Sequence, residues 1–165
     1  MNVLVTGSSG FIGGKFVRML RAEGFNVFCL MRAESVDSAP LGNGLLLKEN
    51  SISGFKSALT VKFEYIFNLA AYGVNRSDQD LNEMIAGNLS FLSNLLCSLS
   101  YKPRLIVNVG TCAEYGFLEE NILVTEDRVL SPTNMYGAVK SSSTLINTQL
   151  AKDKGLPFIN IRLFG

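Results

Sequence analysis

The sequence predicts a doubly wound α/β fold, a parallel sheet of six strands in the order 3-2-1-4-5-6 with helices on both faces. Three observations predict it. Short apolar runs alternate with stretches of helical periodicity along the whole chain. The first run ends in a glycine-rich segment, Thr6-Gly7-Ser8-Ser9-Gly10-Phe11-Ile12-Gly13, that opens a helix. At 165 residues, 47% hydrophobic and 18% charged, the chain is one domain with enough apolar material for a core.

The elements follow in order. Asn2–Thr6 is a continuous β run ending in glycine. Phe11–Glu23 carries Phe16, Val17, Met19 and Leu20 at helical spacing, and Gly24 stands where a helix stops. Asn26–Met31 is the second strand. Residues 33–44, with Pro40, Gly42 and Gly44, read as a loop, and Leu45–Leu47 as a short third strand. Glu64–Leu69 is the fourth strand. Leu81–Leu99 repeats Leu81, Met84, Ile85, Leu89, Leu92, Leu95, Leu96 and Leu99, the spacing of a long amphipathic helix. Arg104–Val109, behind Pro103, is the fifth strand. Pro132 opens a helix running through Tyr136 and Lys140 to about Lys154, where Gly155 stops it. Pro157–Leu163 is the sixth strand.

Composition excludes several functions. Lys plus Arg is 15 against 14 for Asp plus Glu, so no field of one sign draws nucleic acid or an acidic membrane. No apolar run reaches the ~18 residues that cross a bilayer. Met1 and Asn2 lead directly into the first strand without a cationic leader, so the expected location is cytoplasmic. The sequence has no histidine, which removes Ser-His-Asp and Cys-His mechanisms and most metal sites. Cys29, Cys97 and Cys112 are too scattered for a disulfide framework or a zinc site. Cys29 and Cys97 lie in apolar runs and read as small buried hydrophobes.

The glycine segment follows a strand and opens a helix, the context in which such a segment cradles a dinucleotide. Gly7 permits the tight turn, Gly10 leaves room for a pyrophosphate, and Gly13 lets the helix pack close to the strand. Ser9, Phe11 and Ile12 lie between them, and the helix N-terminus offers free N–H groups to phosphate. An NAD-binding unit carries an acid at the end of its second strand. Here that place holds Met31, with Arg32 next. A guanidinium in place of a carboxylate suits a 2′-phosphate, so NADP is favoured over NAD. Tyr136 and Lys140 share one face of their helix. An ammonium and an oxidised nicotinamide both favour the phenolate of a nearby tyrosine, whose ordinary pKa is ~10, and bring it towards the working range. Thr111, at the end of the fifth strand, can hydrogen-bond the same substrate oxygen.

Together these segments resemble an extended short-chain dehydrogenase/reductase of the NAD-dependent epimerase/dehydratase type, a nucleotide-sugar-modifying family with a Rossmann domain. The resemblance rests on Thr-Gly-Ser-Ser-Gly-Phe-Ile-Gly at 6–13, Asn-Leu-Ala-Ala at 68–71 and Asn88. It continues in Gly-Thr-Cys-Ala-Glu-Tyr-Gly at 110–116, Pro-Thr-Asn-Met-Tyr-Gly-Ala-Val-Lys at 132–140 and Arg-Leu-Phe-Gly at 162–165. It implies that Tyr136 is the general acid/base, with Thr111 and Lys140 as partners and Lys140 also holding the nicotinamide ribose. It places Leu69, Ala70 and Ala71 along the cofactor and makes Asn88 a brace. Dehydrating members resemble one another in an acidic residue one or two places after the threonine. Cys112 and Ala113 stand there, which leaves 4-epimerisation or 4-keto reduction of a nucleotide-linked sugar, with Arg32 tilting towards reduction. Glu114, one place further, is expected to turn away from the site. The resemblance also implies a homodimer through the helices at about 80–100 and 134–154. Residues 1–165 correspond to the cofactor-binding domain, and the substrate domain that follows in the family is absent from this chain. A non-catalytic dinucleotide-binding module is the competing reading.

Overall fold

The computed structural model describes residues 1–32, 42–74, 77–117 and 123–164. Most of the expected loop at 33–44, Pro40 included, and Gly165 of the closing Arg-Leu-Phe-Gly segment lie outside the described residues. Six parallel strands form one sheet: β1 (Asn2–Thr6), β2 (Asn26–Arg32), β3 (Asn43–Leu47), β4 (Tyr65–Asn68), β5 (Leu105–Thr111) and β6 (Phe158–Leu163). Their order is β3-β2-β1-β4-β5-β6, as expected from the sequence. The helices are α1 (Phe11–Ala22), α2 (Ile52–Ala58), α3 (Leu81–Met84), α4 (Phe91–Ser98) and α5 (Met135–Asp153).

The strands are buried on both faces because helices cover both. Val3, Val5, Val27 and Cys29 face α1, where Val17 and Leu20 pack with them and Phe16 meets Phe67 edge-on at 4.8 Å. Leu4, Leu30, Ile66 and Ile106 face the opposite side, against Phe55 of α2, Leu92, Leu95 and Leu96 of α4, and Ala151 of α5. Cys97 is only half-buried; its place in an apolar run did not put it in the core.

Several boundaries differ from expectation for local reasons. β3 begins at Asn43, inside the expected loop, because an edge strand tolerates glycine: Gly44 pairs with Cys29. β2 extends to Arg32, which pairs with Leu47. α5 starts at Met135 rather than Pro132, since Asn134 caps it by accepting from the Gly137 N–H at 2.7 Å. Helix α2 has no counterpart in the sequence reading. Only Phe55 and Ala58 of its seven residues are buried, so its periodicity is faint, and its start is set by Ser51 accepting from the Gly54 N–H at 3.1 Å.

The long helix expected over 81–99 is continuous, but residues Ile85–Ser90 widen into a π-helical stretch between α3 and α4. Asn88 sits there. Its amide donates to the carbonyls of Tyr72 at 2.8 Å and Met84 at 2.9 Å, and its Oδ1 accepts from the Tyr72 N–H at 3.1 Å. It therefore ties the segment after β4 to this helix.

One row of polar side chains crosses the sheet near its carboxyl ends. The register aligns Thr6, Asn68, Asn108 and Asn160. Thr6 Oγ1 donates to Asn68 Oδ1 at 2.5 Å, Asn68 Nδ2 to Asn108 Oδ1 at 2.7 Å, and Asn108 Nδ2 to Asn160 Oδ1 at 2.5 Å. Each amide orients the next, which makes the layer beneath the site a connected polar network.

Candidate functional site

The carboxyl ends of β1, β2, β4 and β5 meet where the strand order reverses, the place where doubly wound sheets bind ligands. Gly7 ends the first turn with φ +67°, and a Cβ there would sit 2.6 Å from the Leu69 and Ala70 backbone. Gly13 is closer still: its Cβ would lie 2.1 Å from the Gly7 carbonyl oxygen. Gly10 differs. A Cβ on it would meet only the Gly7 oxygen, at 3.3 Å, so protein packing does not demand glycine there. Gly10 is the N-cap of α1, and α1 has neither a side-chain cap nor an acidic residue in its first turn. By contrast Ser51, Asp80 and Asn134 cap α2, α3 and α5. The first N–H groups of α1 therefore have no side-chain acceptor, and the Gly10 cap lines the cleft, an arrangement that fits an anionic group.

The cleft is lined by Gly7, Ser9, Gly10, Met31, Arg32, Leu69, Ala70 and Ala71 among others. The residues chosen from sequence at three chain positions thus lie around one space. Phe11, Ile12 and Gly13 do not line it. Phe11 is exposed beside it, with the Lys15 ammonium 3.9 Å from its ring centre, Ile12 is exposed, and Gly13 is buried against Gly7. The sequence reading missed Tyr72, Leu47, Gly87 and Phe91 in the lining. Gly87 carried a signal: a glycine within an apolar helical repeat marks close backbone approach. A Cβ on it would lie 3.0 Å from Tyr72 Cβ.

Thr111, Tyr136 and Lys140 lie at the β5 end of the same edge. Segment 69–73 connects the two parts. It begins against Gly7, its Ala70 N–H donates to Thr6 Oγ1 at 3.3 Å, and Gly73 at φ +91° packs so that a Cβ would stand 3.2 Å from the Tyr136 ring. Gly137 brings α5 against the 3₁₀ turn Cys112–Glu114, where its Cβ would be 2.4 Å from the Ala113 oxygen. Tyr136 is thereby set beside Thr111, near enough for that side chain to act on the phenol. Lys140 is buried, and its Nζ donates to the Val109 carbonyl at 2.9 Å.

Burial pushes the Tyr136 phenol above the usual tyrosine range, Glu114 and Cys112 add to this, and the Thr111 hydrogen bond opposes it. Lys140 donates its ammonium to Val109 and is itself held down by burial, against an upward pull from Glu114. Glu114 turns into the protein interior. It is fully buried and bonded to Thr111, Thr144 and Arg162. Among the described residues no group of three or more acidic, histidine or cysteine side chains could hold a metal, and no helix is long and apolar enough to cross a membrane.

Comparison with known proteins agrees with this architecture. The chain is 27% identical to a UDP-glucose 4-epimerase of Corynebacterium glutamicum, over 100% of this chain and 51% of that protein. A UDP-glucose 4-epimerase of Thermotoga maritima, solved with UDP-glucose, superposes with a TM-score of 0.79 at 27% identity, over 98% of this chain and 55% of the other. The Thermus thermophilus UDP-glucose 4-epimerase, solved with NAD, gives 0.83 at 25% identity over 98% and 54%. The chain spans about half the length of the curated relatives it matches. The model of the NAD dependent epimerase/dehydratase family matches residues 3–165. With the fold, the strand order and nearly the whole chain in agreement, the protein belongs to the NAD dependent epimerase/dehydratase family.

Proposed function

We propose that this chain is the dinucleotide-binding domain of a nucleotide-sugar oxidoreductase, acting at C4 of the sugar as a 4-keto reductase or 4-epimerase. The observation that carries the reading is the meeting of Thr111, Tyr136 and buried Lys140 at the sheet edge that also holds the glycine cradle. The relatives that are UDP-sugar 4-epimerases support the substrate class. A bound nicotinamide would supply the hydride. Gly7, Gly10 and the first N–H groups of α1 would hold its pyrophosphate, and Leu69, Ala70 and Ala71 would flank it. Tyr136 would transfer a proton to or from the sugar C4 oxygen, Thr111 would orient that oxygen, and Lys140 would contribute positive charge. Leu145 and Ile146, exposed on α5, support a homodimer through the long helices. The test is single-turnover hydride transfer with a UDP-sugar. Transfer lost in Tyr136→Phe with cofactor binding intact supports the reading, and unchanged transfer sinks it.

NADP is the favoured cofactor, although the Thermus relative was solved with NAD. The support is Arg32, the last residue of β2, which lines the cleft where a ribose carboxylate partner would otherwise stand. Arg32→Ala is expected to weaken NADPH binding about tenfold or more and NADH binding less than twofold, since a charge-assisted bond to phosphate is worth ~1.5–3 kcal/mol. Fluorescence titration of both cofactors reads this directly. Equal losses for the two would remove the NADP assignment.

A further inference from the structure

A second recess opens from the cofactor cleft. Arg32, Leu47, Tyr72, Gly87 and Phe91 line both spaces, and Lys48, Glu49, Asn50 and Glu83 line the second alone. The ends of β2 and β3 form one wall, and the π-helical stretch Ile85–Ser90 forms part of the other. The sequence reading gave Arg32 a role here and Lys48 none, yet the register sets them side by side. Arg32 pairs with Leu47, and Lys48 is the next residue, so two cations leave neighbouring strand ends, which lie ~4.8 Å apart in a sheet. Leu47 is buried, while Arg32 and Lys48 are exposed. The backbone beside Lys48 is held in place. Asn50 donates its amide to the Ala86 carbonyl at 2.9 Å, and Asn94 of α4 donates to the Asn50 carbonyl at 2.9 Å and to its Oδ1 at 3.2 Å. Among the described residues no ion pair joins Arg32 or Lys48 to Glu49, Glu83 or any other acid. Two adjacent cations thus face one recess without a partner.

We propose that Lys48 is a specificity-determining residue of the cofactor site, closing with Arg32 on the 2′-phosphate of an adenine dinucleotide in the recess beside β3. The proposal rests on the reading of the cleft as an NADP site. A phosphomonoester carries about −1.5 to −2 charges at neutral pH, so one guanidinium leaves it only partly neutralised. A single exposed ion pair also contributes little. Lys48 supplies the second charge, a compact ammonium on a flexible stem that can follow a phosphate oriented by the guanidinium fork of Arg32. Glu49 and Glu83 line the same recess and repel an anion that the cations do not hold. They confine the phosphate to the strand side, between Arg32 and Lys48. A ribose 2′-hydroxyl offers neither cation a charge to pair with, so Lys48 acts on NADP binding and leaves NAD binding nearly untouched.

The test isolates the 2′-phosphate from the rest of the cofactor. Adenosine 2′,5′-bisphosphate and adenosine 5′-monophosphate are titrated calorimetrically into the full chain. The parent is expected to bind the bisphosphate more tightly. Lys48→Met keeps an unbranched stem and removes the charge, and because Lys48 is exposed the fold is expected to stand. This variant is expected to bind the bisphosphate about fivefold more weakly or worse, and the monophosphate less than twofold more weakly. Equal weakening of the two probes would put Lys48 on the base or the ribose and overturn the proposal. No change in either probe would make Lys48 a solvated surface charge and overturn it as well. Arg32→Ala separates this failure from that of the cofactor reading. If Arg32→Ala loses the preference for the bisphosphate and Lys48→Met keeps it, only the role of Lys48 falls. If the parent shows no preference, the NADP reading falls and takes this proposal with it.

Discussion

Tyr136→Phe is expected to reduce hydride transfer about 10²–10⁴-fold, the usual contribution of a positioned general acid or base, while changing cofactor affinity less than twofold. The reason for the split lies in how the ring is held. Its ring packs beside Gly73, and Gly137 follows it on α5. Phenylalanine keeps those contacts and deletes only the hydroxyl. The cradle at Gly7 and Gly10 lies at the other end of segment 69–73 and does not depend on that hydroxyl. A loss of that size is ~3–5 kcal/mol of barrier. The pH profile carries a second expectation. Burial and Glu114 hold the Tyr136 pKa above its ordinary value, so the proton is retained through neutral pH and lost as pH rises through that raised value. Carbonyl reduction, which needs the phenol, is expected to be flat through neutral pH and to fall in alkali. Alcohol oxidation, which needs the phenolate, is expected to climb over the same alkaline range. Stopped-flow absorbance of the nicotinamide in both directions checks this. A reduction rate that falls below neutral pH would assign the controlling proton to another group.

How much of this was legible in the sequence depends on whether the physical cause was local. The six strands were, because parallel strands covered on both faces are continuous apolar runs, and Val3–Val5 and Ile106–Val107 are buried as such runs require. The glycine cradle was, because backbone approach leaves a glycine wherever it occurs. Helix α2 was not: a seven-residue helix with two buried residues has too little apolar period to stand out, and only the Ser51 cap announced it. The π-helical stretch was not, since its most visible anchor is the capture of the Tyr72 backbone by Asn88, a contact across 16 residues. The protonation of the site was least legible. Spacing alone put Lys140 on the Tyr136 face of α5, but its bond to Val109, the burial of both groups and the inward turn of Glu114 towards Thr144 and Arg162 are made by tertiary contacts.

Gly10→Ala and Gly13→Ala are expected to weaken dinucleotide binding by different routes, and the difference tests the cradle. A methyl on Gly10 would contact only the Gly7 oxygen at 3.3 Å, so a shift of a few tenths of an ångström accommodates it and thermal stability stays close to that of the parent. The same methyl would sit at the N-cap of α1, in the space that the pyrophosphate needs, and NADPH affinity is expected to fall at least about tenfold, or ~1.4 kcal/mol. A methyl on Gly13 has nowhere to go. It would lie 2.1 Å from the Gly7 oxygen and 2.8 Å from the Gly7 carbonyl carbon, and both are backbone atoms, so no side chain can swing aside to relieve the contact. Helix α1 must therefore lift from the sheet, at a cost of about 1–3 kcal/mol for an overpacked contact. The Gly13 variant should thus lose both stability and binding, and the Gly10 variant binding alone. Thermal melts with and without NADPH separate the two: only a chain that still binds gains melting temperature from the ligand. An NADPH affinity in Gly10→Ala equal to that of the parent would mean that phosphate does not sit on the α1 terminus, and the dinucleotide reading of the cleft would fall with it.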